Sequence, residues 1–325
     1  FLKFLKDWML PVAIVAGILL CLLLHFITPL SDTVEPVFSR MAKEVQPVIV
    51  ALMLFLQFNK VSPKDLKIKK WHIGLLVFQT VLFVALALTA TTVPHGNVRI
   101  LLECAMLCFV CPTAAAAGVI TDRLGGRLSD TVTYVVLINI IAAFIIPLII
   151  PVVHPTEGAS FLVRFFSICL RIFPLLVLPL LLAWLVRFTM KKLHERLLRI
   201  VGWAFYIWGF TLCLSIYLAT RALILSGISV WASLMICLVS LVCTMIQFIT
   251  GRRIGRASCR EDEEGKRADA ITAGQALGHK NTGFLIWLGY TWMTPVTSVA
   301  GGLYSIWQNL FNAGELYQQR HRKSK

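Results

Sequence analysis

Residues 274–283 read Gly274-Gln275-Ala276-Leu277-Gly278-His279-Lys280-Asn281-Thr282-Gly283, and residues 111–118 read Cys111-Pro112-Thr113-Ala114-Ala115-Ala116-Ala117-Gly118. Each stretch interrupts an apolar run long enough to cross a bilayer, which takes about 20 residues of helix. Inside hydrocarbon every backbone polar group needs a partner within the protein. A proline removes an N–H and disfavours helix in the residue before it. A run of glycines around His279, Lys280 and Asn281 is too polar for a continuous lipid-facing helix. Both stretches therefore read as breaks in spanning segments, and the chain reads as all-α and integral to a membrane.

Working outward, apolar runs lie near residues 9–28, 40–59, 71–92, 100–121, 128–151, 161–186, 200–222, 226–249, 270–291 and 294–315. These predict ten transmembrane helices, here called spans 1 to 10. The breaks fall in spans 4 and 9, the fourth span of each five-span half. Interrupted segments at matching positions of two halves point to an inverted repeat whose broken helices meet at a midplane binding site. Five spans is an odd number, so the halves, residues 1–159 and 160–325, insert with opposite orientation. The plainer alternative is a pair of packing kinks, because small residues also let helices approach closely.

Composition points the same way. Of 325 residues 58% are hydrophobic and 14% are charged, against roughly 25% charged in a typical soluble domain. That excludes a disordered chain, collagen and a soluble two-domain enzyme. The excess of 31 Lys and Arg over 16 Asp and Glu would suggest nucleic acid in a soluble protein. Here the basic residues lie between apolar runs, so the expected partner is the bilayer and no nucleic acid. On the ten-span reading 24 of the 31 fall on one side and four, Arg40, Lys43, Arg99 and Arg221, on the other. The positive-inside rule then puts both termini in the cytoplasm of a cell-membrane protein, with a bacterial inner membrane expected. The first run has no small-residue cleavage site behind it and reads as a retained span. Residues 252–269 read as a solvated cytoplasmic connector. Eight of the nine cysteines lie in apolar runs and behave as small hydrophobes. Cys104, Cys108 and Cys111 have helical spacing, but no acidic or His partner lies in reach, so no metal and no cofactor are expected.

Four charges fall inside predicted spans: Glu103, Arg164, Arg171 and Lys280. Glu103 and Arg164 are near enough to the outer ends to snorkel. Arg171 and Lys280 lie deeper and are functional candidates, since a charge at membrane depth is costly without a cavity or partner. Arg171 reads as a receiver of an anionic head group in a crevice. Its alternatives are pairing with Glu103 or with a lipid phosphate.

At these residues the chain resembles the bile acid:sodium symporter family. Gly278-His279-Lys280-Asn281-Thr282-Gly283, then Pro295 and Gly301-Gly302-Leu303-Tyr304-Ser305-Ile306-Trp307-Gln308-Asn309, is similar to that family's Glu-x-Gly-x-Gln-Asn-Ser-Gly and Pro-Gly-x-x-Phe-Ser-x-Trp-His-Asn segments. Cys111-Pro112 with its small residues, then Val119-Ile120-Thr121, is similar to the family's Cys-Pro-Gly-Gly-Thr-Ala-Ser-Asn-Val-Met-Thr. The resemblance covers essentially the whole chain. It implies a panel domain of spans 1, 2, 6 and 7, and a core domain of spans 3–5 and 8–10 in which the broken spans cross. It also implies transport of organic anions, bile acid-like or other amphipathic carboxylates, by alternating access, from a monomer or weak homodimer.

The departures from the family are specific. Where the family has Ser-Asn as sodium ligands this chain has Ala117-Gly118; Ala276 stands for the family's Glu, and Lys280 for its Gln. Of the family's sodium ligands Gln79 matches well and Thr131 more loosely. Sodium prefers several hard oxygen donors, and an ammonium about 4 Å away repels it by about 1–4 kcal/mol. The sodium site is therefore expected to be absent, with Lys280 as a built-in cation. A lysine that stays protonated leaves a facilitator or exchanger, and one that gives up a proton each cycle couples transport to protons. Asn281 and Thr282, which match the family's Asn-Ser, are candidate substrate contacts together with His279, Pro112, Thr113 and Arg171, and Trp307 and Asn309 read as packing and capping residues of span 10 rather than ligands. Other readings are a conventional sodium symporter with ligands not yet placed, a receptor on a transporter fold, and a lipid-acting membrane enzyme. The last would need acidic pairs or a nucleophile with a base, and the spans contain one Glu.

Overall fold

The computed structural model describes residues 2–155, 158–200 and 203–323. They are 85% helical with no strand. The helices are α1 (Leu2–Phe26), α2 (Thr28–Thr33), α3 (Glu35–Phe58), α4 (Lys70–Thr92), α5 (Asn97–Val110), α6 (Ala117–Arg123), α7 (Leu128–Val153), α8 (Phe161–Leu176), α9 (Leu178–Thr189), α10 (Lys191–Ile200), α11 (Ala204–Leu225), α12 (Val230–Ser258), α13 (Glu263–Gly278), α14 (Thr282–Trp292) and α15 (Pro295–Lys323). Lys325, counted in the charge reading, lies outside the described residues.

Among the described residues, helices fall within each of the ten apolar runs. By length and composition four of them, α3, α4, α7 and α12, can cross a membrane. The pair α8 and α9, bent by 40°, makes a fifth. Pro174 and Pro179 flank that bend, and each removes a helical N–H. Shorter apolar helices run over Pro11–Phe26 and Gly209–Leu225.

Packing sorts the helices into two sets. In one, α1 packs on α11, α11 on α3, and α3 on α8 and α9. In the other, α12 packs on α13, α15, α5 and α4, while α14 packs on α15, and α7 on α4, α6 and α13. Contacts of α11 with α14 and α15, of α3 with α14, and of α7 with α8 join the sets. The main apolar cluster spans both sets, with Leu54, Phe58, Ile172 and Leu180 of the first and Phe83, Met106, Val135, Ile146, Phe284, Leu288 and Tyr304 of the second.

Two features differ from the sequence reading. Residues 252–269 are mostly helix, not a connector: α12 continues to Ser258 and α13 begins at Glu263. Asp262 caps α13 by accepting from Gly265 N–H, and Glu263 and Glu264 complement its first turn. The two helices then pack at backbone distance. A Cβ at Gly251 would stand 2.5 Å from the Ala273 carbonyl oxygen, and one at Gly255 2.4 Å from that of Asp269. The polar segment between α9 and α11 is also helical: α10 carries Lys191, Lys192, Arg196 and Arg199, with His194 held by Asn59 at 3.2 Å.

Candidate functional site

The two interrupted segments meet. Pro112 holds Cys111 extended at φ −55°, ψ 126°, and α5 ends at Val110. Gly278 closes α13 where a Cβ would press into the Phe248 ring, 2.5 Å away, and His279 leaves the helix at φ −89°, ψ 88°. Between the half-helices, Ala114 N–H donates to the His279 carbonyl and Asn281 N–H to the Pro112 carbonyl, each at 2.8 Å. Thr113 and Lys280 thus face each other as an isolated antiparallel bridge.

A broken helix in an apolar interior exposes carbonyls that must be paired. The Ala276 carbonyl accepts the Thr113 hydroxyl. The Gly278 carbonyl accepts Tyr304 OH at 2.8 Å, and the Lys280 carbonyl accepts Gln308 Nε2 at 3.2 Å. Gln308 Oε1 in turn accepts Lys280 N–H at 2.8 Å. On the other segment, Gln79 Nε2 donates to the Cys111 carbonyl at 3.2 Å, and Gln247 Nε2 to that of Cys108 at 3.2 Å. Cys111 Sγ donates to the Asn281 carbonyl at 3.0 Å.

Lys280 is 0% exposed. Its Nζ donates to Gln79 Oε1 at 2.9 Å, and Tyr134 OH donates to the same oxygen at 3.0 Å. Among the described residues no carboxylate lies within ion-pair distance of it. It is therefore neither a snorkelling lysine nor half of a salt bridge. α5 and α13 both end here, and each helix C-terminus carries about half a negative charge, which favours the protonated form of the amine. Gln79 relays that polarity from the α5 carbonyls to the ammonium.

The other candidates fall into three groups. Pro112, Thr113, Ala276, His279, Asn281 and Thr282 stand at the crossing with Lys280 and Gln79. There His279 Nδ1 lies 3.3 Å from both Gln275 Oε1 and Asn312 Nδ2, and Asn281 Oδ1 caps α14 by accepting from Phe284 N–H. Ala117 and Gly118 form the first turn of α6, and Thr131 sits on α7 beside it. The Thr131 hydroxyl donates to Thr121 Oγ1 at 3.1 Å and to the Arg127 carbonyl, not to a group at the crossing. Arg171 corrects the sequence reading. It is exposed on α8, at the edge of the buried face that carries Ile168 and Ile172, with its guanidinium 5.9 Å from the Trp292 ring centre. Nor does it pair with Glu103, which is buried and held by Arg99 at 3.1 Å and His154 at 3.2 Å.

A small cleft, open to solvent, lies against the crossing. Val50, Met53 and Leu54 of α3 and Thr211, Leu212 and Ser215 of α11 form one wall. Ala114, Ala115, Ala116, His279, Asn281, Thr282 and Gln308 contribute to the other. It is an amphipathic chamber between the two helix sets. Gln46 ties its walls together, donating to Ser215 Oγ at 2.7 Å and to the Gly283 carbonyl at 3.0 Å.

Tyr134, Gln247, Tyr304 and Gln308 were not singled out from the sequence. Their signal was present as isolated polar groups in apolar runs, but each acts on a partner 26 to 139 residues away or more locally unreadable in register. Trp307 and Asn309 are structural in these contacts, Trp307 Nε1 donating to Ser240 Oγ at 3.2 Å and Asn309 Nδ2 to the Ser305 carbonyl at 2.7 Å. Among the described residues no group of three or more His, Cys, Asp or Glu is placed to hold a metal ion. No protein-family model matches the chain, and no curated protein is significantly similar to it.

Proposed function

We propose that this protein is a secondary transporter of amphipathic organic anions that works by alternating access, with Lys280 as a resident cation where sodium-coupled relatives of the resembled family hold Na⁺. The supporting observation is the antiparallel bridge between Thr113 and Lys280 at two helix breaks, with the buried ammonium on Gln79. A charge at the centre of a spanning helix costs about 2.5–3.5 kcal/mol, and packing alone would be served by a methionine. In this reading the ten helical segments are ten spans, arranged as a 5+5 inverted repeat with both termini cytoplasmic. The set of α1, α3, α8, α9 and α11 is the panel, and the other set is the core.

The cleft suits an anion with an apolar body. The start of α14 faces it through Asn281, Thr282 and Gly283, and a half-helix N-terminus favours a carboxylate. Val50, Met53, Leu54 and Leu212 supply the apolar surface. Rocking of the panel against the core would expose this chamber to each side in turn.

The test is thermal unfolding of the purified protein in detergent, exchanging K⁺ for Na⁺ at constant ionic strength and adding a set of steroid and fatty carboxylates. A ligand at 100 times its Kd adds about 2.7 kcal/mol, so a sodium site shows itself without knowledge of the substrate. The expected result is no response to Na⁺, a carboxylate-dependent rise in Tm, and loss of that rise in Ser215→Leu. A Na⁺-specific rise would mean a conventional sodium symporter, and no response to any carboxylate would sink the anion reading.

A further inference from the structure

Arg164 and Arg171 stand seven residues apart on α8, in the stretch Phe161-Leu162-Val163-Arg164-Phe165-Phe166-Ser167-Ile168-Cys169-Leu170-Arg171. Seven residues are two helical turns, about 10 Å of rise, so both project from one face. Both guanidinium groups converge on one indole: Arg164 lies 5.7 Å and Arg171 5.9 Å from the Trp292 ring centre. Among the described residues neither has a carboxylate within ion-pair distance.

The same corner holds polar atoms with no partner. Arg164 Nε, Trp292 Nε1 and, two residues on, Thr294 Oγ1 are shielded from solvent and make no hydrogen bond. The protein supplies no acceptor at this corner, and the outward ends of the two guanidinium groups are left with only a cation–π contact to one ring, about 0.5–2 kcal/mol each. Around them α8 presents Phe161, Leu162, Val163, Phe166 and Leu170 outward, Leu170 at 75% exposure. A soluble anion would leave that apolar surface uncovered. A molecule with a negative head and acyl tails covers both.

We infer that Arg164, Arg171 and Trp292 form a binding site for one anionic phospholipid, its phosphate on the two arginines and its acyl chains along Phe166 and Leu170. Charge complementarity and the apolar margin choose this occupant, because a guanidinium fork matches two phosphate oxygens. The site needs only that α8 lies in a bilayer. It is separate from the cleft, so it stands or falls independently of the transport reading.

The experiment is native mass spectrometry of the full chain in detergent, titrated with dioleoylphosphatidylglycerol, dioleoylphosphatidylcholine or inorganic phosphate. Wild type is expected to retain one phosphatidylglycerol in preference to phosphatidylcholine, and inorganic phosphate is expected not to compete. Arg164→Gln with Arg171→Gln removes two charge-assisted contacts and should weaken phosphatidylglycerol about tenfold or more. Arg171→Lys, which keeps the charge but loses the fork and so guards against misfolding of the double variant, should fall between wild type and the double variant. Equal retention of both lipids by wild type, or a preference unchanged in the double variant, overturns the site. Competition by inorganic phosphate that depends on both arginines overturns the lipid as its occupant.

Discussion

The Lys280 ammonium and the Gln79 side-chain oxygen lie 2.9 Å apart, both fully enclosed, and are separated by 201 residues in the chain. Gln79 is the joint of the crossing: its oxygen takes Lys280 and Tyr134, while its amide holds the Cys111 carbonyl. Removing either end of this contact has different consequences. Loss of the lysine removes a buried charge along with its cost. Loss of the glutamine keeps the charge and deletes its partner.

Gln79→Leu should therefore destabilise the protein by about 1.5–3 kcal/mol, the usual worth of a hydrogen bond to a charged group. Lys280→Met should change stability by no more than about 1–2 kcal/mol, since an apolar side chain of similar size replaces an ammonium that is expensive to bury. In the double variant most of the Gln79→Leu penalty should vanish, a coupling of about 2 kcal/mol. Unfolding of the four proteins in mixed detergent micelles measures the cycle. Additive losses would mean that Lys280 and Gln79 do not interact in the protein.

The sequence made some of this arrangement readable and hid the rest. Pro112 and Gly278 act locally, so the ends of α5 and α13 could be read from the residues beside them. Lys280 and Gln79 were readable as polar intrusions into apolar runs. What could not be read is register over long separations. Tyr304 and Gln308 on α15 serve carbonyls of the crossing 26 and 28 residues away, and nothing local distinguishes them from Asn309, which only bonds its own helix. Arg171 was left between a crevice, Glu103 and a lipid phosphate because hydropathy gives its depth and not its azimuth on α8. Residues 252–269 were misread because a run of mixed charge was taken for a solvated connector, although Asp262 followed by Glu263 and Glu264 is a helix start.

At one end of the bundle Lys69 joins two helices by ion pairs, with Asp130 at 2.7 Å and Asp269 at 3.2 Å. Burial lowers the pKa of this amine, but the hydrogen bonds and charges of the two carboxylates outweigh it and raise the value above 10.5. A raised folded-state pKa stabilises the protein fully below 10.5 and loses that contribution as pH rises through the folded value. The partly exposed site limits the contribution to about 1 kcal/mol. The wild type should accordingly lose stability relative to Lys69→Met as pH climbs above 10.5, and the difference should be level below it. Parallel curves for the two proteins across that range would show that the pair contributes nothing.

At the opposite end Tyr290 of α14 is gripped by the other helix set. Lys43 Nζ stands 4.0 Å above its ring, and Arg221 Nη1 donates to its hydroxyl at 3.3 Å. Arg221 is itself fixed by Glu35, which also accepts from Tyr217. If the two sets rock against each other during transport, this grip closes the chamber on the Tyr290 side. A cation–π contact and a hydrogen bond together are worth about 1.5–2 kcal/mol, which is a tenfold or greater bias in a two-state equilibrium. Tyr290→Leu should therefore raise the rate at which a membrane-impermeant thiol reagent, applied from the Tyr290 side, labels a cysteine introduced at Thr211. Tyr290→Phe keeps the ring under Lys43 and loses only the hydroxyl, so it should fall between the two. The introduced cysteine is read against the parent chain, whose own cysteines at 213 and 237 are partly exposed. Labelling rates that are the same in all three proteins would mean that this contact holds the helices together without gating the chamber.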